Sequence, residues 1–484
     1  MPLDTSAAPS SAPFVRWGTA FADSRLLQLF LLGSVLLCAP SYAAWFRTPF
    51  DIGRIEFDPW LAVLSSPWPG QVAHAIGFAV LGILYVAIAR RSVQLPRWYA
   101  PAVWIIFFVA VPWMSPDVMY YLSKGWIEAG YGQNPYTSSV AAVPNFEQDP
   151  MFYSMVPSLL HLRGNYGALF QKLSALLANL ADGDPLRGLL LFKMVMSAAL
   201  FGCYRLVRVV AAQAHVAVED LDKWFLLNPL LLFNFVTAAH NDVLLMLLIL
   251  AGVVLLHRQQ FLLAGSAIGL SIGFKIAGIF LLPAYAITTV MTSGWTPSRR
   301  RLAAAAIGVL AGAGAGFLVD PSSSSFFKAI LLHEANGFRS SIHMLLSPLV
   351  RGMNLPGSPD SLLIGKCVFV AAALHLHCAN WRQYRHEPFQ FLVVCSFETF
   401  VLLQFLVMPA MAEWYILWPL CFALCCPGSA ARQWCRRITV LYMPIAIWHV
   451  VGIPQLVMFA QLSIVGFLFV SHAGYFMRSR VAAS

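Results

Sequence analysis

The chain has 484 residues, 59% of them hydrophobic and 11% charged, with a net charge of +10 and a mean hydropathy of +0.71. Soluble domains carry about 25% charged residues, so a water-soluble fold is excluded and most of the surface must face lipid or other spans. The positive charge does not point to nucleic acid. Its arginines sit in short connectors, at Arg90-Arg91, Arg205 and Arg208, Arg299 to Arg301, Arg382 and Arg385, Arg436-Arg437, and Arg478 and Arg480. An excess of Lys and Arg in short loops marks the cytoplasmic side of a membrane protein.

Residues 1–20, in which Ser, Ala and Pro are prominent, read as a short disordered cytoplasmic tail. Residues 21–480 read as one integral-membrane domain. A helical span needs about 20 apolar residues, and runs near 25–46, 71–90, 98–114, 187–208, 224–239, 243–257, 260–274, 276–292, 302–319, 361–380, 389–408, 413–428, 438–455 and 456–477 qualify or come close. The expectation is an all-α polytopic bundle of about 13–14 transmembrane helices, with short interfacial helices in the outer loops. With the N-terminus inside, every arginine cluster falls on the inner side. The loops 47–70, 115–165 and 320–360 then lie outside, and none of the nine cysteines falls in them. Neither a disulfide framework nor a zinc site is expected.

In the second outer loop, "SPDVMYYLSKGWIEAGYGQNPY" (115–136) places Asp117, Tyr121, Lys124 and Glu128 at spacings of three and four. That is one polar stripe on a helix, which predicts an amphipathic helix lying in the membrane interface with its aromatics against lipid. Ser115 can cap it and Pro116 suits its first turn. An acid in a first turn also complements the helix dipole, so Asp117 alone need not be functional. The stretch 165–181 predicts a re-entrant or interfacial helix.

Two short pairs of apolar segments follow. The first pair meets at "AAHNDV", which sets His240, Asn241 and Asp242 between two apolar runs. The second meets at Lys275. Both read as half-depth hairpins around a cavity, since broken helices at membrane depth need protein or water to satisfy the freed backbone. Polar groups at that depth are costly and functional by default. A lysine there suits a phosphate, or else pairs structurally with Asp242 or Glu398. Beyond it, His333, Arg339 and His343 are candidate anion ligands in "HEANGFRSSIHM", and Trp414, Tyr415 and Trp418 open a span at "EWYILWPL". An aromatic belt at the interface explains the latter, with sugar stacking as the alternative.

In this order, "SPDVMYYLSKGWIEAGYGQNPY", "NYGALF", "NPLLLFNFVTAAHNDVLLMLLILAG", the Lys275 span and "WYILWPL" resemble the bacterial polyprenol-phosphate-mannose-dependent α-1,6-mannosyltransferases of the GT-C superfamily. The resemblance runs from about 98 to 428. Where Tyr-Gly-Pro is expected, this chain has Tyr166-Gly167-Ala168. The resemblance implies a base on an outer loop, Asp117 by position, with Asp51, Glu56 and Asp58 of the first loop as rivals. It also implies a polyprenyl-phosphate sugar donor, most simply mannose, a glycan or lipid-linked acceptor, and a multi-pass protein of the bacterial plasma membrane with its site on the outer face. Lys275, Arg339, His343, His240, Asn241, Asp242, Tyr121, Lys124, Trp414 and Tyr415 are the expected substrate-binding set. Nothing calls for a cofactor, although the acids leave room for a divalent metal. A transporter or flippase of lipid-linked sugars is the alternative. No internal repeat of the kind transporters show is visible, and the polar residues gather on one side.

Overall fold

The computed structural model describes residues 23–39, 69–91, 93–112, 115, 117–153, 159–216, 221–293, 295–319, 361–408, 412–427 and 439. Among these residues the regular structure is helical, with no strand. The longer helices are α1 (23–39), α2 (Pro69–Arg90), α3 (Tyr99–Val109), α4 (Asp117–Ala129), α5 (Ala168–Ala181), α6 (Pro185–Gln213), α7 (Asp242–His257), α8 (Phe261–Phe274), α9 (Leu282–Ser293), α10 (Trp295–Val319), α11 (Ser361–Gln383), α12 (Pro388–Leu406) and α13 (Leu417–Ala423). The expected spans 438–455 and 456–477, the tail 1–20 and the loops 47–70 and 320–360 lie essentially outside the described residues.

Three described helices are long and apolar enough to cross a membrane: α6, Leu363–Gln383 within α11, and α12. Their ends follow local chemistry. Asp184 caps α6 by accepting from the amides of Leu186 and Arg187, at 2.8 and 3.1 Å, and Pro185 fills the first turn. Pro388 likewise opens α12, where a missing N–H costs nothing. Large apolar side chains stay exposed along the outside, among them Leu36, Ile83, Leu310, Leu318 and Leu374. Such a surface is stable only against lipid. The protein is an all-α polytopic membrane protein.

A close crossing joins α8 to α10. A Cβ on Gly265 or Gly269 would lie 2.1 or 2.2 Å from the carbonyl oxygens of Ala305 and Val309, and one on Gly308 or Gly312 would lie 2.2 or 2.3 Å from those of Leu262 and Ser266. Both helices therefore present glycine at four-residue spacing, and only glycine lets the backbones approach this closely.

One expectation is corrected here. Helix α4 forms where the polar spacing predicts it, but its aromatics do not rest against lipid. Tyr120, Tyr121, Leu122, Lys124 and Ile127 are all at most 5% exposed. The helix is clasped by α5, where a Cβ on Gly125 would meet the Ser174 carbonyl at 2.2 Å, and by α6, where Gly188 abuts Leu122. The polar stripe turns inward because its groups find partners there. Gln171 Nε2 donates to the Lys124 carbonyl at 3.0 Å, and Lys172 pairs with Glu128.

Candidate active site

Asp117 stands in the first turn of α4, its amide donating to Ser115 Oγ at 3.3 Å. Its carboxylate Oδ2 lies 3.4 Å from His240 Nδ1 and accepts from the Tyr121 hydroxyl, also at 3.4 Å. Burial alone would raise the Asp117 carboxyl. The His240 hydrogen bond and charge, then Lys275 and Tyr121, outweigh that and hold it below the ordinary 3.8. Burial first, then Tyr166 and Asp117, push the Tyr121 hydroxyl well above its usual range, so it remains a donor.

His240 reaches Asp117 because the chain breaks. Asn228 caps the segment Pro229–Leu231 through the Leu230 amide at 3.0 Å, and a π-helical stretch, Leu232–Thr237, follows. Ala239 then adopts φ +54, a left-handed conformation that costs a non-glycine residue about 1–3 kcal/mol and marks an over-determined position. The result is a 109° bend between Pro229–Thr237 and α7. The His240 amide donates back to the Asn234 carbonyl at 3.0 Å. Asp242 opens α7, where the helix dipole favours an acid.

The second break supplies a cation. Lys275 ends α8 in extended backbone, before the 3₁₀ turn Ile276–Leu281. Its Nζ donates to Asp242 Oδ1 at 2.7 Å. The ammonium also lies 4.9 Å from the Tyr415 ring centre, 5.3 Å from Trp418 and 6.0 Å from Tyr166, a partial aromatic cage. The segment carrying Tyr166 is pressed against the same break. The Gly167 amide donates to the Phe274 carbonyl at 3.1 Å, and a Cβ there would sit 2.0 Å from the Gly273 carbonyl oxygen. Gly167 also occupies the N-cap of α5, so Ala168 stands at the first helical position. Proline is favoured there for its fixed φ and dispensable N–H; alanine starts the helix equally well, so the departure from Tyr-Gly-Pro leaves the turn intact.

These contacts close into a ring. Asp117 meets His240, and the His240 ring stacks on Trp414 with centres 4.0 Å apart and an 18° tilt. Trp414 meets Tyr415 at 5.8 Å, Tyr415 meets Lys275, and Lys275 faces Tyr166. The Tyr166 hydroxyl then donates to Tyr121 Oη at 3.4 Å, which returns to Asp117. Of the expected residues, the structure gathers Asp117, Tyr121, His240, Asp242, Lys275, Trp414 and Tyr415. Asn241 adjoins them with a buried Oδ1 that has no hydrogen-bond partner among the described residues.

Others go elsewhere. Lys124 lies seven residues, about 10 Å, further along α4, and its Nζ donates to the Leu162 carbonyl. Arg339 and His343, with His333 and the rival acids Asp51, Glu56 and Asp58, fall outside the described residues. Glu398 accepts from Asn380 Nδ2 at 2.6 Å across the α11–α12 pair. The aromatic-belt expectation is corrected: Trp414, Tyr415 and Trp418 turn inward onto His240 and Lys275, and Trp418 is fully buried. Tyr166 was not among the expected binding residues, and Trp418 was expected to belong to the interfacial belt or to stack on a sugar. Tyr166 lies within a quoted motif, whereas nothing local to Trp418 signals its contact with a lysine 143 positions away.

Within the ring, exposure divides the groups. The Asp117 and Lys275 side chains are 23% and 18% exposed, against 0% for His240 and 1% for Asp242. An incoming molecule therefore meets one carboxylate and one ammonium, each backed by a buried partner.

Comparison with known proteins bears on this arrangement. Over 414 residues the chain is 25% identical to alpha-(1->6)-mannopyranosyltransferase A of Mycobacterium tuberculosis, covering 78% of this chain and 76% of that one. It is 26% identical over 188 residues to the protein of the same name from Corynebacterium glutamicum, covering 38% and 36%. No solved structure matches. The family model described as "Alpha-(1->6)-mannopyranosyltransferase, N-terminal domain" matches residues 28–291, more than half of the chain. That stretch runs from within α1 through Asp117, the His240 break and the Lys275 loop, and the chain belongs to the alpha-(1->6)-mannopyranosyltransferase family.

Proposed function

We infer that the protein transfers mannose from a polyprenyl-phosphate donor to a glycan or glycolipid acceptor at the outer face of the bacterial plasma membrane, by one inverting displacement on a GT-C scaffold. The observation that carries this reading is the accessible pair Asp117 and Lys275, a carboxylate and an ammonium on one ring. A polyprenyl-phosphate sugar presents an anomeric carbon whose leaving group is an anionic phosphate. Lys275 is the cation for that phosphate. Asp117 takes the proton of the acceptor hydroxyl, which must come within roughly 2.6–3.2 Å. The hydroxyl oxygen attacks C1 as the C1–O bond to phosphate breaks, and the electron pair leaves with the phosphate.

His240 and Tyr121 hold the Asp117 carboxylate in place from two sides, and their contacts favour its ionised form. Tyr166, Tyr415 and Trp418 present ring faces to the Lys275 ammonium and narrow the approach to it. The apolar tail of the donor would lie in the bilayer.

The test uses purified protein in lipid nanodiscs with polyprenyl-phosphomannose and an α-mannoside acceptor. Release of polyprenyl phosphate together with a mannose-extended acceptor is expected. Movement of the donor across the bilayer without release would sink the transferase reading in favour of a flippase.

A further inference from the structure

Asp242 is unusual within the ring. Its side chain is 1% exposed, Oδ1 accepts from Lys275 at 2.7 Å, and Oδ2 is buried with no hydrogen-bond partner among the described residues. An ionised carboxylate with one oxygen unsatisfied is costly in such a place. The Lys275 charge compensates for it.

The donor disturbs this balance. A phosphate oxygen bonded to the same Nζ at about 2.7–2.9 Å cannot lie more than roughly 5–6 Å from Asp242 Oδ1. Two anions would then share one cation in low dielectric, which strongly favours neutralising one of them. The donor cannot be that one, because a phosphodiester stays ionised at all physiological pH. Asp242 can, and its Oδ2, without a partner among the described residues, is the oxygen open to a proton. Among the described residues, the other charged or titratable groups around Asp242 are Tyr415 of a second 3₁₀ turn, Glu413–Ile416, Tyr121 of α4 and, through the field of Lys275, Asp117. His240 stands two residues away, and Cys203 of α6 donates to the Val243 carbonyl at 3.5 Å.

We propose that Asp242 is the general acid of the transfer: it takes up a proton when the donor phosphate binds Lys275 and passes that proton to the departing phosphate. The proposal rests on the reading of Lys275 as the phosphate ligand. The balance is as follows. Donor binding draws one proton from water onto Asp242 Oδ2. The acceptor hydroxyl then gives its proton to Asp117 as its oxygen bonds to C1, and the C1–O pair goes to the phosphate. Asp242 protonates that phosphate, which leaves as a monoanion rather than a dianion; a phosphate monoester has its second pKa near 6. Asp242 returns to Lys275, and Asp117 releases its proton to water.

The test is calorimetry of polyprenyl-phosphomannose binding in two buffers of different ionisation enthalpy, which counts protons in the wild-type protein without any variant. Uptake of about one proton is expected, with donor affinity rising up to tenfold per unit fall in pH over roughly pH 5–8. In Asp242→Asn, a neutral isostere, uptake and slope should vanish, donor binding at pH 8 should be at least as tight as wild type, and transfer should fall by about 10²-fold or more. His240→Gln should retain the uptake. Absence of uptake in the wild type, while Lys275→Met loses donor affinity, would leave the phosphate site standing and overturn the acid. Uptake lost in His240→Gln moves the proton to the histidine and also overturns it. Donor affinity unchanged in Lys275→Met removes the phosphate site itself, and the proposal with it.

Discussion

At Asp117 a single carboxylate is held by a histidine on one side and a tyrosine on the other, 3.4 Å from each. Asp117→Asn keeps the shape and removes the basicity. We expect a folded protein with donor affinity near wild type and a turnover reduced by about 10²–10⁴-fold, read as kcat under saturating donor. Because the carboxyl is held below its ordinary 3.8, Asp117 is ionised throughout the neutral range. The acid limb of kcat/KM that it sets should lie below about pH 4 and move upward in His240→Gln. Lys124 behaves differently. Burial first, then Arg163, push its ammonium down from 10.5 to about 7. Between those values the unfolded chain holds a proton that the folded chain lacks, so stability must rise with pH from about 7 to 10. Thermal unfolding in nanodiscs should show this rise in the wild type and lose it in Lys124→Met, with donor affinity unchanged. A drop in donor affinity would return Lys124 to the binding site.

The elements meet through small residues at the places where the site is built. Gly269 of α8 faces the Val309 carbonyl of α10 so closely that a Cβ would lie 2.2 Å from it. Gly269→Leu must push the two helices apart. Overpacking of this kind costs about 1–3 kcal/mol, visible as a lower unfolding temperature. Since α8 ends in Lys275, donor affinity should fall with it. Gly167 binds the Tyr166 segment to the end of α8, where a Cβ would lie 2.0 Å from the Gly273 carbonyl oxygen. Gly167→Ala should therefore displace Tyr166 from Lys275 and cost activity out of proportion to stability. The reverse pattern would make the contact purely structural. Neither seam is visible from hydropathy, because glycine in an apolar run reads only as a span. The glycine spacing on α8 and α10 was present in the sequence, but which helix each row faces is a tertiary matter.

For the molecule as a whole, the donor site and the topology are the two testable claims. Lys275→Met removes a charge-assisted hydrogen bond worth roughly 1.5–3 kcal/mol, so donor affinity should fall about tenfold to hundredfold, with acceptor affinity little changed. Sidedness can be checked on intact cells with a membrane-impermeant thiol reagent. A cysteine placed at the exposed Thr137 should react from outside, and one at the exposed His386, in the α11–α12 connector, should react only after permeabilisation. The opposite pattern would put the Asp117 ring on the cytoplasmic face, away from the expected outer loops.

What the sequence determined by itself is the class of solvent and the stock of polar groups. With 59% hydrophobic and 11% charged residues, the chain had to place most of its length in lipid. The few acids, histidines and lysines interrupting apolar runs stood out as candidates for a site because such interruptions are expensive. The breaks at His240 and Lys275 were legible for the same reason. Which polar group answers which was not. His240 stands 123 positions from Asp117, and Lys275 stands 33 from Asp242; hydropathy carries no information about pairings across such separations. Nor did helical spacing reveal which way α4 would turn, since a polar stripe can meet water as readily as it meets Gln171 and Lys172. The inward turn of α4 and of Trp414, Tyr415 and Trp418 was decided by packing. In a bundle assembled in lipid, polar and aromatic groups gain most by meeting one another, and only the tertiary structure brings these to one place.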